Sequence, residues 1–387
     1  MAGYLFNCSD FSAIESAFTY GVYGTRIKTQ ERAYWGTAQE GAFADYLAMK
    51  ESDSVYFFSK RKIYGIGSII SKNNACVFLN YPNADIPDSY CQNIDKSQIL
   101  LGDEFSSLDA SCYPIIVLFE PSPFFFKRGV DIDEALFSNP SAFRMIRANS
   151  GLSFVKIDDE ENQALKDIIL KSNKEALYSQ NQSEEDYTFN FRRIIRNEIY
   201  NKITSNHVFS SSKICELCHS DEKINHEMAI EADIGYKIVK GDILATKIFG
   251  TWDHIAHQVI ASPFKPIIYI DKIDIFGYTY LPGFSPTIEK YLIIEVKKDI
   301  ADVDCIEQVM KYVDFVNNEY CHGDFSMIEA YCVAYGYTQA AKTALENLAK
   351  RIYLKGIRPS QTTTWNNLRL IQYRYSGDTE AINYTES

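Results

Sequence analysis

The chain is short of positive charge: 39 Lys and Arg stand against 51 Asp and Glu, a formal net charge of -12. A protein of that balance does not hold nucleic acid by bulk phosphate attraction, because phosphate contacts need Lys or Arg. It does not exclude chemistry on nucleic acid, since a divalent-metal site must itself be acidic. Long apolar runs are missing as well; nothing approaches the ~20 apolar residues of a membrane-spanning helix. No basic, apolar leader opens the sequence, so the expectation is a cytoplasmic protein without a signal peptide. The cysteines, 9 in all, are odd in number and scattered. That pattern reads as reduced thiols and not as a disulfide framework. Cys215-Glu216-Leu217-Cys218-His219 has zinc-ligand spacing. A structural zinc takes four ligands, usually in two pairs, and no second Cys pair follows. His226 offers a third ligand and nothing clear supplies a fourth. Gly65-x-Gly67 has no third glycine opening a helix, so it is no dinucleotide loop. The histidines form no nucleophilic triad pattern with Ser or Cys.

What is present is an aromatic-rich, globular composition long enough for two or three domains: 387 residues, 14% of them aromatic. The first ~110 residues read as short strands with turns. Ser54–Ser59, Ile63–Ile70, Ala75–Leu79 and Pro114–Phe119 alternate or are rich in β-branched and aromatic residues, with Lys60-Arg61-Lys62 as a turn. A helix is expected over Thr37–Met49. The whole suggests a small closed β-barrel with helices packed on it. A helix over Asp159–Lys174 leads into a polar stretch, and residues 173–186 are the expected linker. Tyr187–Ile203 then reads as an amphipathic helix with Phe191, Ile194, Ile195 and Ile199 on one face. Its Arg192, Arg193 and Arg196 are candidates for nucleic-acid backbone contacts, although a solvated basic surface is the commoner meaning of such a run. Beyond it, helix and strand alternate, which implies a mixed sheet with helices on its faces.

Chemistry concentrates in Ile293-Ile294-Glu295-Val296-Lys297. Alternate strand residues share a face, so Glu295 and Lys297 project together while Ile294 and Val296 enter the core. Asp274 lies upstream between Ile273 and Ile275, on a strand expected to form a hairpin with this one. Two carboxylates, water and a phosphate oxygen are how proteins usually hold magnesium. A metal so held activates water and neutralises charge as a phosphodiester breaks. Lys297 can orient the water or stabilise the phosphate. Cys305–Val316 follows as a helix with Gln308 and Tyr312 one turn apart.

Ile273-Asp274-Ile275, then Ile294-Glu295-Val296-Lys297, then Glu307-Gln308-Val309-Met310-Lys311-Tyr312-Val313 resembles the PD-(D/E)xK restriction-endonuclease-like superfamily, in the branch with Gln and Tyr on the following helix. Members similar to the archaeal mismatch endonucleases also place a Glu on an upstream helix. Glu227-Met228-Ala229-Ile230 fits that pattern, with Glu231 its rival one turn later. The resemblance covers roughly Asn225–Val316 and lacks the Pro of the superfamily's name. It implies Asp274, Glu295, Lys297 and Gln308 as catalytic residues, and Glu227, Asp274 and Glu295 as ligands of Mg²⁺ or Mn²⁺.

The N-terminal part, with Tyr20-Gly21-Val22-Tyr23-Gly24-Thr25 and the Val55–Gly67 hairpin, resembles YTH and EVE domains, barrels of the PUA-like class. Such domains flip out one modified base and stack it between aromatic faces. The resemblance implies Tyr23 as a cage wall and Ser9 and Asp10 at the base edge. A second wall would come from Phe119, Phe124, Phe125 or Phe126. Together the two resemblances imply an α+β and α/β protein. A PUA-like reader would occupy 1–172, a linker 173–186, and a restriction-endonuclease-like mixed sheet flanked by helices 187–387. The implied activity is a modification-dependent DNA endonuclease similar to type IV restriction enzymes. It would act on double-stranded DNA carrying a modified base, as a homodimer at least on DNA. A nuclease directed to modified RNA, or a reader without cleavage, are the alternatives.

Overall fold

A computed structural model of the protein describes residues 1–25, 37–82, 96–101, 113–148, 154–178, 183–261, 271–356 and 358–387. The chain forms two compact units, residues 1–209 and 210–387. No helix among the described residues is long and apolar enough to cross a membrane.

The first unit is a curled half-barrel. Its strands are β1 (Gly3–Asn7), β2 (Val22–Thr25), β3 (Ser54–Ser59), β4 (Lys62–Ile69), β5 (Val77–Leu79), β6 (Ile115–Pro121), β7 (Val130–Asp131) and β8 (Phe154–Ile157). They run in the order β2-β6-β4-β3-β1-β8, with β5 on β6 and β7 on β4. β3 and β4 make the expected hairpin. Lys60 and Arg61 both take left-handed backbone, φ 47° and 66°, which matches the twist of a two-residue turn. Among the described residues β2 and β8 end the path without meeting, so the sheet is open where the sequence suggests a closed barrel. The helices are α1 (Phe11–Tyr20), α2 (Thr37–Leu47), α3 (Ile132–Ser138), α4 (Asp159–Ser172), α5 (Lys174–Tyr178), α6 (Glu184–Tyr187) and α7 (Arg193–Lys202). Many of the aromatic residues serve the core. Phe6, Phe18, Phe57 and Phe119 are fully buried, and Phe18 stacks on Phe125 with ring centroids 4.4 Å apart.

The boundary between the units falls at Phe209, not in the polar stretch 173–186. Asn173 is buried and donates to the Ile169 carbonyl at 2.9 Å. The Tyr187 carbonyl accepts from Lys127, Phe189 donates to the Phe125 carbonyl, and Arg192 donates to that of Thr19. α7 then buries Ile199 and Ile203 in a cluster with Val22, Phe78 and Leu118. Polarity marked the stretch as a linker, but the apolar surface of residues 187–209 needed cover, and the first unit supplies it. Residues 179–182 lie outside the described residues. The helix expected from Tyr187 starts only at Arg193, and Ile194, assigned to its buried face, is 76% exposed.

α4 carries a buried carboxylate. Glu161 accepts the backbone N–H groups of Arg144 at 2.7 Å and Ile146 at 3.2 Å through Oε1, while Oε2 has no partner. Burial, then neighbouring Asp158, push its pKa up to about 7. A carboxyl that titrates higher in the folded state binds more protons folded than unfolded. Its stabilisation is full below the ordinary carboxylate range and is lost as pH rises through about 7. The melting temperature should therefore fall between roughly pH 5 and pH 7.5. In Glu161→Gln, which keeps the acceptor oxygen and carries no charge, this part of the slope should vanish. Parallel melting curves for the two proteins across that window would reject the assignment.

The second unit holds β9 (His219–Ser220), β10 (Lys223–Ile224), β11 (His254–Ile260), β12 (Lys272–Tyr280), β13 (Ile288–Ala301), β14 (Ile328–Tyr337), β15 (Arg351–Lys355), β16 (Gln361–Trp365), β17 (Leu368–Ser376) and β18 (Ala381–Glu386). Its main sheet has six strands in the order β11-β12-β13-β14-β17-β18. β11, β12 and β13 form an antiparallel meander; β13, β14 and β17 run parallel; β18 returns antiparallel. The helices are α8 (Ser211–Cys218), α9 (Glu227–Lys240), α10 (Ile243–Phe249), α11 (Val303–Val316) and α12 (Gln339–Leu348). α11 is the crossover that a parallel β13–β14 pair requires. It buries Ile306, Val309, Met310, Val313 and Val316 at the expected spacing. α12 stops at Leu348; beyond it β15 and β16 pair as a hairpin and Arg351 is held by Asp314 at 2.7 Å.

Candidate active site

The site grows from the hairpin β12–β13. Backbone pairing between these strands runs up to Ile275–Ile294. Just beyond, the Asp274 side chain takes over: its Oδ2 accepts the Val296 N–H at 2.8 Å. A carboxylate thus replaces a ladder partner and is fixed beside Glu295. Glu295 is 1% exposed. Its Oε1 accepts from the Lys297 ammonium at 2.6 Å, as the same-face geometry of a strand requires, and its Oε2 is buried without a partner. A bulge in β13 follows Lys297. Bulges cluster next to active sites because they re-aim side chains.

α9 brings two glutamates one turn apart. Glu231, the rival in the sequence, is the one inside: it is buried and accepts from His257 Nε2 at 2.5 Å. Gln258 Nε2 lies 3.5 Å from the same Glu231 oxygen and donates to Asp274 Oδ1 at 3.0 Å. Glu227 stands at the edge, where its Oε1 accepts the Lys298 N–H at 3.2 Å, an amide in the bulge region. On α11, Gln308 donates to the Tyr312 hydroxyl at 2.8 Å, and that hydroxyl donates to the Lys272 carbonyl at 2.8 Å. Of the residues expected from sequence, Asp274, Glu295 and Lys297 therefore come together directly. Gln308 is tied through Tyr312 to the first residue of β12. His257 and Gln258 had no sequence signal, since neither type nor spacing sets them apart; only the fold of β11 over α9 brings them in.

The electrostatics are those of crowded carboxylates. Burial, then the Glu231 charge, push Asp274 well above the ordinary carboxylate range, against the pull of the Val296 N–H. Burial and then Asp274 raise Glu295 to about 8. Burial raises Glu231 to about 8, with Gln258 opposing and Glu295 adding to the rise. Burial alone would lower the Lys297 ammonium, but Glu295, Asp274 and Glu227 outweigh it and hold it charged above its usual value. Such a group is short of one thing, a second positive charge.

Among the described residues no three His, Cys, Asp or Glu side chains are gathered as a closed ligand set. The contacts explain why: Lys297, His257 and the Val296 N–H each occupy one carboxylate oxygen. Magnesium does not need such a set, because it keeps most of its waters and takes one or two carboxylates. The orphaned Glu295 Oε2 beside Asp274 fits that demand. A cavity of about 420 Å³ lined by Asp253, Tyr280, Leu281, Pro282, Gly283 and Ser285 contains none of these carboxylates and plays no part here.

The expected base cage is occupied by the first unit's own side chains. Phe119 is fully buried against Phe18, Phe57 and Phe125, so it cannot be a wall. Phe125 and Phe126 are buried too. Phe124 packs edge-on to Phe126 and Tyr187. Tyr23 is half-buried and stacks on Phe6 with centroids 4.0 Å apart. Asp10 caps α1 through the Ala13 N–H at 2.9 Å and takes the Ser9 hydroxyl at 3.2 Å. A polar loop before a helix is as much a capping signal as a binding one. The basic run is similarly engaged: Arg196 is buried and paired with Glu120 at 3.0 Å, Arg193 lies 3.4 Å from the same carboxylate, and Arg192 is exposed. Cys215 and Cys218 are buried, with Cys218 Sγ donating to the Ile214 carbonyl at 3.1 Å, while His219 stacks on Tyr375.

No protein-family model matches the chain, and neither does any curated protein. Among solved structures, one that matches is the crystal structure of a repair endonuclease from Pyrococcus abyssi. The two are 21% identical, and the match covers 34% of this chain and 46% of that one, with a TM-score of 0.19. The chain thus spans less than half of that protein, and similarity at this level decides neither fold nor chemistry.

Proposed function

We propose that the second unit is a divalent-metal-dependent phosphodiesterase acting on nucleic acid, and that the substrate is DNA cut internally. The observation that carries the reading is Glu295, a buried carboxylate with one oxygen bound to Lys297 and the other without a partner, beside a second, half-buried carboxylate, Asp274. Buried charge without compensation is costly. A cation beside Glu295 accounts for its orphaned oxygen and for the two carboxylates gathered next to it.

Glu295 and Asp274 would hold Mg²⁺ or Mn²⁺, with Glu231 behind them. When bound, the metal supplies a lowered pKa for attacking water and neutralisation of phosphoryl charge. The residues do the rest. Lys297 stays protonated through its contact with Glu295 and presents an ammonium to a phosphate oxygen or to the attacking water. Tyr312 fixes Gln308 at the edge of the site, where its amide can orient water. Cutting both strands of a duplex would take two copies of the site, which supports a homodimer on DNA. Base reading by the first unit is not part of the proposal, because the expected cage residues are engaged in packing and capping.

The test is cleavage by the full chain of labelled duplex DNA, single-stranded DNA and RNA, with Mg²⁺, with Mn²⁺ and with EDTA. Metal-dependent internal cuts in DNA are expected. Equal cutting in EDTA would reject the metal. Cutting of RNA alone would keep the chemistry and move the substrate. No cutting of any substrate with either metal would reject the reading.

A further inference from the structure

Gln258 sits in the middle of β11 with left-handed backbone, φ 53°. That region is uncommon for a residue other than Gly, Asn, Asp or His, and such strain concentrates at functional sites. Its neighbours pair in ordinary register, His257 with Ile275 and Val259 with Ile273, which sets Gln258 opposite Asp274. In a regular strand His257 and Gln258 would point to opposite faces. Here both reach Glu231: His257 Nε2 at 2.5 Å and Gln258 Nε2 at 3.5 Å from the same oxygen. The Gln258 amide also donates to Asp274 Oδ1 at 3.0 Å. One neutral side chain thus spans the buried Glu231 carboxylate on α9 and the half-buried Asp274 carboxylate on β12.

We propose that Gln258 is a positioning residue for the metal site, resting on the phosphodiesterase reading above, and that its left-handed backbone is kept for this task. Gln258 is the side chain that joins Glu231 on α9 to Asp274 on β12. A primary amide offers two N–H donors and no acid proton. Placed between the two carboxylates, it fixes the position of both side chains. His257 fixes Glu231 from the other side. Outer partners of this kind typically contribute 10- to 100-fold to metal affinity.

The conformation supplies the test. Gln258→Gly suits the left-handed backbone and removes the amide; Gln258→Asn also tolerates it and keeps the amide one methylene too short. Metal-free melting temperature is expected to hold or rise in both. Mn²⁺ affinity, measured by calorimetry on the full chain, should fall roughly tenfold or more. Cleavage should be lost at low Mn²⁺ and recover at saturating Mn²⁺, which a general packing defect would not do. Wild-type affinity in both variants, with both folded, overturns the inference and leaves the metal site standing. Absence of Mn²⁺ binding by the wild-type protein overturns the inference together with the reading it rests on. Cleavage that stays lost at saturating metal assigns Gln258 to the chemistry itself and overturns a positioning role.

Discussion

Glu295→Gln is expected to lower metal-dependent cleavage by on the order of 10²–10³ or more and to remove tight Mn²⁺ binding, without unfolding the protein. The amide is isosteric, so the buried position keeps its shape. What changes is charge. Glu295 is held against burial, with its pKa raised to about 8, and one oxygen has no protein partner. Removing that charge relieves a cost in the metal-free protein, so the melting temperature should hold or rise slightly. The same substitution takes away the carboxylate placed to meet a cation. Calorimetry with Mn²⁺ and a cleavage assay, run beside thermal melts, read the three effects separately. A folded variant that binds and cuts like wild type would remove Glu295 from the site. A variant that unfolds would show that the carboxylate serves packing.

Lys297→Met should separate chemistry from binding. Cleavage is expected to drop by roughly 10²–10⁴, the usual range for loss of a group that handles a proton or charge in the transition state. Mn²⁺ binding should be retained or tightened, because a positive charge beside the cation has gone. One complication has a definite sign. Lys297 pulls the Glu295 pKa down, so its loss raises that carboxyl further and sets a proton in competition with metal. The comparison therefore belongs at alkaline pH, about pH 9, where the proton competes less with the metal. The Lys297 side chain is about a third exposed, at 32%, so solvent screening limits what the ion pair itself contributes to stability. Loss of Mn²⁺ binding at that pH equal to the loss in Glu295→Gln would make Lys297 a partner of the carboxylate and not a reacting group.

Period-two and helical patterns made much of the second unit legible in advance. The hairpin of Asp274 and Glu295 formed where alternating apolar residues placed it, and α11 covers the helix expected over Cys305–Val316. These signals are local: a strand must bury one face and a helix one stripe, so the pattern is written in consecutive residues. Polarity and aromatic content were poorer guides in the first unit. Asn173–Asp186 looked like a linker, yet the chain after it stays in the same core. Phe119 looked like a cage wall, yet it is closed in among other rings. An aromatic residue carries the same letter in a core and in a binding wall, and only its neighbours distinguish them.

By itself, then, the sequence determined that Glu295 and Lys297 share a strand face and that Asp274 lies on the strand beside them. Three residues within one hairpin are enough for that, because strand geometry leaves no other arrangement. Only the tertiary structure decided which glutamate of α9 enters the site. Glu227 and Glu231 lie one turn apart on the same helix face, and the choice depends on how α9 docks against β11 and β13. The docking puts Glu231 on His257 and Gln258 and leaves Glu227 to a backbone amide of β13. It was also the fold that brought in Gln258, through a backbone conformation that no residue pattern announces, since contacts between distant segments are set by packing and not by local spacing.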